Sequence, residues 1–188
     1  MNIAKLDAAK RQLDTAINLF FKEADSVSMH TLTAAAHQIL MDLAKLKGAM
    51  SFIKTPTLIK KEMQKKYLYV INEAENFFKH AAKDSDKLLE FNPEQTEFLL
   101  LDAVEMYTQL TKEAPEDMSI YRMWFFIKHP EIISDETRKG IEAKNLSIQK
   151  YRAMHKLKFY TKMKDSFMYR AENKVFKSYS GILFYDYL

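Results

Sequence analysis

The spacing of apolar residues along this chain predicts α-helices throughout. In most segments apolar residues recur every three or four positions, as they do on one face of a helix with about 3.6 residues per turn. No segment alternates apolar and polar residues between turn residues, as a half-buried strand would. The 188 residues include only three glycines and four prolines, so few positions interrupt the helices. We therefore expect an all-α protein, a single helical bundle of five or six main helices over residues 1–188.

One segment, residues 26–47, is apolar around most of its circumference and is predicted to be the central helix. Asp25 and Ser26 can cap its first amides, and Gly48 can end it in the left-handed conformation. Two of its sides are apolar, and such a helix packs against neighbours in both directions. The first side comprises Leu32, Ala35, Ala36, Ile39, Leu43 and Leu46. The second comprises His30, Thr33, Ala34, His37, Met41 and Ala44.

The other predicted helices surround this central one. Their predicted bounds are residues 3–24, 55–82, 92–112, 119–130 and 146–177. In the first helix Phe20 belongs to the buried stripe and Phe21 lies at its edge. Thr55–Pro56 and Asn92–Pro93 are start signals, because proline is favoured in the first turn. The predicted buried face of the helix over 55–82 comprises Ile59, Met63, Val70, Ala74, Phe77 and Ala81.

Charge divides the chain into a body over residues 1–143 and a C-terminal part over 144–188. The body has 19 Lys and Arg against 22 Asp and Glu, whereas the C-terminal part has 10 against 3. The C-terminal part is also rich in aromatic residues, and cations beside aromatic rings are typical of single-stranded nucleic-acid binding. The candidate contacts are Lys156, Lys158, Lys162 and Arg170. Alternatively, the aromatic rings pack on the acidic body while the lysine heads stay in water.

Several classes of site are excluded by the sequence. The chain has no cysteine, which excludes disulfides, thiolate metal sites and cysteine nucleophiles. It has no glycine-rich phosphate loop, no His-Glu-x-x-His and no Gly-x-Ser-x-Gly. Its N-terminus is not a secretory signal, and its apolar runs are shorter than a membrane span. We expect a soluble cytoplasmic protein with no cofactor, no metal and no membrane partner.

His30 and His37 lie on the same side of the central helix, seven residues apart. Helix rise separates them by about 10 Å, whereas histidines that bind one metal on a helix are three or four residues apart. The simpler interpretation is two buried histidines, each satisfied by one hydrogen bond. The alternative is a ligand-binding role for His30 and His37.

Two segments of the chain carry a resemblance to known proteins. They are AINLFFKEADSVSMHTLTAAAHQIL, residues 16–40, and NFFKHAAKDSD, residues 76–86. Over roughly residues 12–130 the chain resembles a family of uncharacterised, all-helical bacterial proteins with similar segments. That family is distantly similar to HEPN domains, helical bundles that often dimerise and include ribonuclease toxins. The resemblance implies a dimer and RNA as a partner.

The active motif of HEPN domains is an Arg, a polar residue, a short spacer and a His. The resemblance places Asn76 at the polar position and His80 at the His position, which makes both candidate catalytic residues. Glu75 stands where the motif has Arg. A guanidinium there would bind phosphate, whereas a carboxylate repels it. The resemblance therefore implies a degenerate site, and the alternative is that His80 is a structural histidine at a helix end.

Three functions follow as hypotheses. The first is a non-enzymatic helical interaction or regulatory protein, a homodimer in which the histidines are buried singly. The second is an HEPN-like RNA-binding protein or ribonuclease, with Asn76 and His80 exposed in a dimer groove. The third is a metal- or small-ligand-binding bundle, which requires His37 and His80 to converge with a carboxylate. The apolar, aromatic tail over residues 178–188 favours docking on the bundle or on a second copy.

Overall fold

Seven α-helices and one 3-10 turn make up the described part of the chain. The computed structural model describes residues 1–54, 61–82, 85–132 and 148–172, without the side chains of residues 169–172. The helices are α1 Lys5–Phe21, α2 Ser26–Lys47, α3 Lys61–Lys79, α4 Glu94–Thr111, α5 Glu116–Lys128, α6 Ile148–Arg152 and α7 Lys156–Glu172, and the 3-10 turn is Pro130–Ile132. No strand occurs in these ranges, so the all-α prediction is confirmed. All helices except α6 are main helices of the bundle.

The ends of α2 follow the signals in the sequence. The carboxylate of Asp25 accepts a hydrogen bond of 2.7 Å from the amide of Ser28, which satisfies a donor that the first turn leaves unpaired. At the other end, Gly48 has a φ of 76°, in the left-handed region where glycine is favoured. Its amide bonds to the carbonyl of Ala44 and closes the last turn. The predicted bounds of the central helix are confirmed.

Other helix ends differ from the sequence predictions. The side chain of Asn92 accepts a hydrogen bond of 3.0 Å from the amide of Glu94, but Pro93 precedes the helix instead of opening it. The aromatic helix α5 begins at Glu116, before the predicted start at residue 119, because acidic residues are favourable in a first turn. The C-terminal helix is broken into α6 and α7. The predicted start at Thr55–Pro56 lies outside the described residues.

The central helix α2 packs against α1, α3 and α4. His30 pairs with Thr96 of α4, and His37 pairs with Asp102 of the same helix. The later histidine of α2 pairs with the later residue of α4, so the two helices run parallel. The histidine side of α2 is the more deeply buried one, whereas Leu46, predicted on the other side, is exposed in the last turn.

The predicted buried face of α3 is largely wrong. Ala74 is buried, but Met63, Val70 and Ala81 are exposed, and Ile59 lies outside the described residues. The main packing partner of α3 is α2. Only a narrow side of α3 is therefore covered, and the side with Met63 and Val70 stays in solvent. The periodicity of α3 therefore predicts more burial than the described fold provides.

An aromatic cluster joins α1, α5 and α7 at the other side of the bundle. The rings of Phe20 and Trp124 are 4.6 Å apart, and Phe21 stacks on Tyr160 at 4.6 Å. Phe21, predicted at the edge of the stripe, is fully buried because α7 covers it. Each such ring pair adds about 1 kcal/mol beyond the burial of its area.

Candidate functional site

One buried carboxylate, that of Asp102 on α4, collects three hydrogen bonds. Nε2 of His37 lies 2.7 Å from one of its oxygens, and the hydroxyl of Ser51 donates to the same oxygen. The amide of Phe52 donates to the other oxygen at 2.7 Å. Ser51 and Phe52 belong to residues 49–54, the chain that leaves α2, here called the connector. The carboxylate thus attaches α2 and the connector to α4.

The electrostatics of Asp102 favour its ionised form. Burial raises the pKa of this carboxyl, but the hydrogen bonds from His37 and Ser51 outweigh burial and hold the pKa below its ordinary value. An ionised carboxylate only accepts hydrogen bonds, so Nε2 of His37 carries the proton that it donates. Nδ1 of His37 has no hydrogen-bond partner among the described residues.

Ser51, His37 and Asp102 are the residue types of a hydrolase triad, but their arrangement is different. In a triad the histidine takes the proton of the serine hydroxyl, whereas here the hydroxyl of Ser51 donates to Asp102. His37 is fully buried, and Ser51 and Asp102 are each 2% exposed, so a substrate cannot reach them. The oxygen of Ser51 also accepts from the amide of Lys54 at 2.8 Å. The arrangement holds the connector and supplies no nucleophile.

His30 lies in a separate, apolar setting on the same side of α2. Its Nδ1 is 2.9 Å from the hydroxyl of Thr96, and its ring meets Phe78 and Phe91 edge-on at 5.6 and 5.3 Å. Burial lowers the pKa of His30 to about 4, and the opposing attraction of Glu75 is too weak to prevent this. His30 is therefore neutral at physiological pH and acts as a hydrogen-bonded core residue.

Glu75, which stands where the HEPN motif has Arg, takes part in a cluster of three charges. Its two carboxylate oxygens lie 2.9 Å from Nζ of Lys54 and 2.7 Å from Nζ of Lys79. Burial raises the pKa of Glu75, but the hydrogen bonds from both lysines outweigh it and lower the pKa. Lys54 is in the connector and only 7% of its side chain is exposed. Glu75 thus fastens the connector to α3.

Asn76 and His80 are both exposed at the C-terminal end of α3. The amide of His80 bonds to the carbonyl of Asn76 at 3.0 Å, which extends the last turn of the helix by one residue. His30 and His37 lie in the interior with separate partners. In the described ranges, no group of three or more His, Asp or Glu side chains could bind a metal ion.

The C-terminal candidates differ from one another in their surroundings. Nζ of Lys156 lies 4.3 Å from the centre of the Phe20 ring and 3.7 Å from the carboxylate of Glu23. Lys158 and Lys162 are exposed, and the side chain of Arg170 lies outside the described residues. The aromatic neighbours Phe159 and Tyr160 are buried in the core. These two rings are therefore unavailable for stacking on bases.

Sequence reasoning missed the partners of both buried histidines. Thr96 and Asp102 lie on α4, and Ser51 lies in the connector, more than ten residues from His37. One signal was present: Asp102 is a single acid inside the apolar run from Phe98 to Val104. An isolated acid in such a run is expected to be paired, but the sequence does not say with which residue.

Comparison of the chain with protein-family models, with curated protein sequences and with solved structures gave no match. The resemblance to HEPN domains therefore stays a prediction. Among the described residues, none of the helices combines the length and the apolar character that a membrane crossing requires.

Proposed function

We propose that this chain is a non-enzymatic helical interaction protein that works as a homodimer. The observation that carries the proposal is an apolar surface formed by exposed side chains near α3. Its members are Phe52 in the connector and Met63 and Val70 on α3. Contiguous exposed apolar residues of this kind mark binding surfaces on soluble proteins.

The parts of this surface lie next to each other. The hydroxyl of Tyr67 donates a hydrogen bond of 2.9 Å to the carbonyl of Ile53 in the connector. Tyr67 follows Met63 by one helical turn and precedes Val70 by three residues on α3. Phe52, beside Ile53, is 71% exposed although its own amide is fixed to Asp102. A large ring held in solvent by a fixed backbone supports a role in binding.

The interior supports the non-enzymatic part of the proposal. The buried His30 and His37 of α2 bond to Thr96 and Asp102 of α4, and Ser51 of the connector also bonds to Asp102. Within this group of described residues, the acid, the bases and the hydroxyl groups are all buried. Asn76 and His80 are exposed, but Glu75 beside them is engaged by two lysines. Glu75 cannot supply the guanidinium with which an Arg would hold a phosphate at this position.

Sedimentation equilibrium of the purified chain over a range of micromolar concentrations tests the proposal. We expect a monomer–dimer equilibrium that moves towards monomer when Phe52 is replaced by Glu, because the ring contributes apolar area at an interface. Met168→Glu is the matched control, since Met168 is 57% exposed on α7, which packs against α1 and α5. A mass of one chain at every concentration would refute the homodimer.

A second candidate function is RNA binding on the outer face of α3. It is favoured by the exposure of Asn76 and His80 on a helix that also carries exposed lysines at positions 61, 65 and 66. Fluorescence anisotropy with a labelled single-stranded RNA tests it, with Lys65→Ala and Lys66→Ala expected to weaken binding and to reduce its salt dependence. RNA affinity that is unchanged in these variants, or undetectable in the parent chain, would remove this candidate.

A further inference from the structure

Three apolar residues of α3 recur once per heptad along one side of the helix. Met63, Val70 and Phe77 are seven residues apart, so each lies within about 20° of the next around the helix axis. They are called here the α3 stripe. Met63 is 48% exposed and Val70 51% exposed, whereas Phe77 is half-buried. Helices that pair along a seam have two apolar positions in each heptad. In α3 the stripe occupies one of these positions, and Lys66 and Glu73 occupy the other.

Two residues of opposite charge flank the α3 stripe. Lys66 lies one turn before Val70, is exposed, and belongs to no ion pair among the described residues. Glu73 lies three residues after Val70; its carboxylate is 3.0 Å from Nζ of Lys87, and 35% of its side chain remains exposed. The stripe therefore has a cation towards its N-terminal end and an anion towards its C-terminal end.

We propose that the α3 stripe packs antiparallel against the α3 stripe of a second copy, about a two-fold axis at Val70. This inference rests on the proposed homodimer and names the surface that forms it. Around such an axis Val70 meets Val70 of the second copy, and Met63 meets Phe77. The same apolar side chains are then covered in each of the two copies, because a two-fold interface uses the same surface on both subunits.

The charges select the antiparallel arrangement. With the axis at Val70, Lys66 of one copy lies almost directly opposite Glu73 of the other copy, displaced by one residue along the helix. The two-fold axis repeats this contact, so it occurs twice. A parallel pair in register would place Lys66 beside Lys66 and Glu73 beside Glu73, which is unfavourable. Complementary charges at a rim fix the orientation of partners more than they add affinity. Phe52 lies close enough to α3 through the Tyr67–Ile53 hydrogen bond to extend the interface.

Single-cysteine variants of the full chain test the axis directly, because the native chain has no cysteine. Val70→Cys is expected to form a disulfide-linked dimer under mild oxidation, since the axis brings the two thiols together. The control is Met168→Cys, at a position that is 57% exposed on α7, which packs against α1 and α5. Cross-linking at position 70 should be at least about ten-fold faster than at position 168, because paired thiols meet at millimolar effective concentration.

Charge reversal tests the orientation. Lys66→Glu is expected to weaken dimerisation about ten-fold, and the double variant Lys66→Glu with Glu73→Lys is expected to recover most of the loss by restoring the pair in reverse. Circular dichroism checks that each variant keeps its helices, since Glu73→Lys also removes the contact with Lys87.

The outcomes separate this inference from the proposed function. A dimer whose position-70 thiols cross-link no faster than those at position 168 overturns the α3 interface and leaves the homodimer standing. A dimer with fast cross-linking but no recovery in the double variant overturns the antiparallel orientation. A chain that stays monomeric overturns both the interface and the homodimer.

Discussion

At the scale of single residues, the two buried histidines of α2 differ in what they bond to. His37 donates to the carboxylate of Asp102, whereas His30 pairs with the neutral hydroxyl of Thr96. The surroundings of His30, which include the rings of Phe78 and Phe91, disfavour its protonated form. Each histidine therefore gives a separate prediction about stability.

Replacing Asp102 with Ala is expected to lower the free energy of unfolding by about 3 kcal/mol. The substitution leaves the buried side chains of His37 and Ser51 and the partly buried amide of Phe52 without their acceptor, and each unsatisfied group costs about 1 kcal/mol. Urea unfolding measures the change. Asp42→Ala is the control, because Asp42 is exposed on α2 and its loss should change stability by less than about 0.5 kcal/mol. Equal effects of the two substitutions would contradict a structural role for the carboxylate.

The stability of the protein should fall between pH 6.5 and pH 4 because of His30. The folded pKa of His30 is lowered to about 4, so the unfolded chain binds the proton first as the pH falls, and protonation favours unfolding. The loss is at most about 3 kcal/mol and is complete below pH 4.

Urea unfolding at several pH values, with His30→Gln as the non-titrating variant, measures this dependence. The parent chain should lose more stability than the variant between pH 6.5 and pH 4. Asp102 also contributes to stability. Because its pKa is lowered, this contribution is lost only at still lower pH, where the carboxylate becomes protonated. If the two curves stay parallel down to pH 4, His30 does not titrate as its surroundings imply.

At the scale of helices, the sequence predicts the elements well and their exposed sides less well. The caps at Asp25 and Gly48 are local signals, and both are found where the sequence places them. Burial depends on which helices meet, and this is why the periodicity of α3 did not reveal that Met63 and Val70 are exposed. The position of Asp102 opposite His37 follows from the parallel packing of α2 and α4, which no local pattern encodes.

The connector is expected to control the stability of α3 through Glu75. Glu75→Ala leaves Lys54 largely buried and without its carboxylate, so amide hydrogen exchange in α3 should accelerate by at least about ten-fold, or 1.4 kcal/mol. Amides in α4 should be unaffected. Lys79→Ala is the control, because it keeps the Lys54–Glu75 pair and removes a more exposed partner. Uniform acceleration across all helices would instead indicate global destabilisation.

At the scale of the whole molecule, α7 belongs to the core although the charge pattern separates it from the body. Nζ of Lys164 lies 2.6 Å from the carboxylate of Asp117, and the hydroxyl of Tyr160 donates to the same residue at 2.8 Å. The acidic first turn of α5 is thus matched by basic and hydroxyl groups of α7. Part of the charge difference between the two regions is satisfied inside one chain.

Removing residues 144–188 is expected to destabilise the body. Without α7, the rings of Phe21 and Phe20 lose the cover of Tyr160 and Lys156, and burial of each large side chain is worth about 2 kcal/mol. Thermal unfolding followed by near-ultraviolet circular dichroism should show a large fall in Tm. A chain ending at residue 172 keeps α6 and α7 and should be more stable than a chain ending at residue 143. Equal Tm values for the two truncated chains would show that α7 contributes little.

The hydrogen bond from His37 to Asp102 also provides a spectroscopic signal. The Nε2 proton of His37 is fully buried and bonded to a carboxylate that also holds the connector. Such a proton exchanges slowly with water and resonates far downfield of the amide protons in a nuclear magnetic resonance spectrum. Because the same carboxylate anchors Phe52, a partner that moves the connector would shift or broaden this one resonance. A single imidazole proton in the core can therefore report on events at the surface of α3.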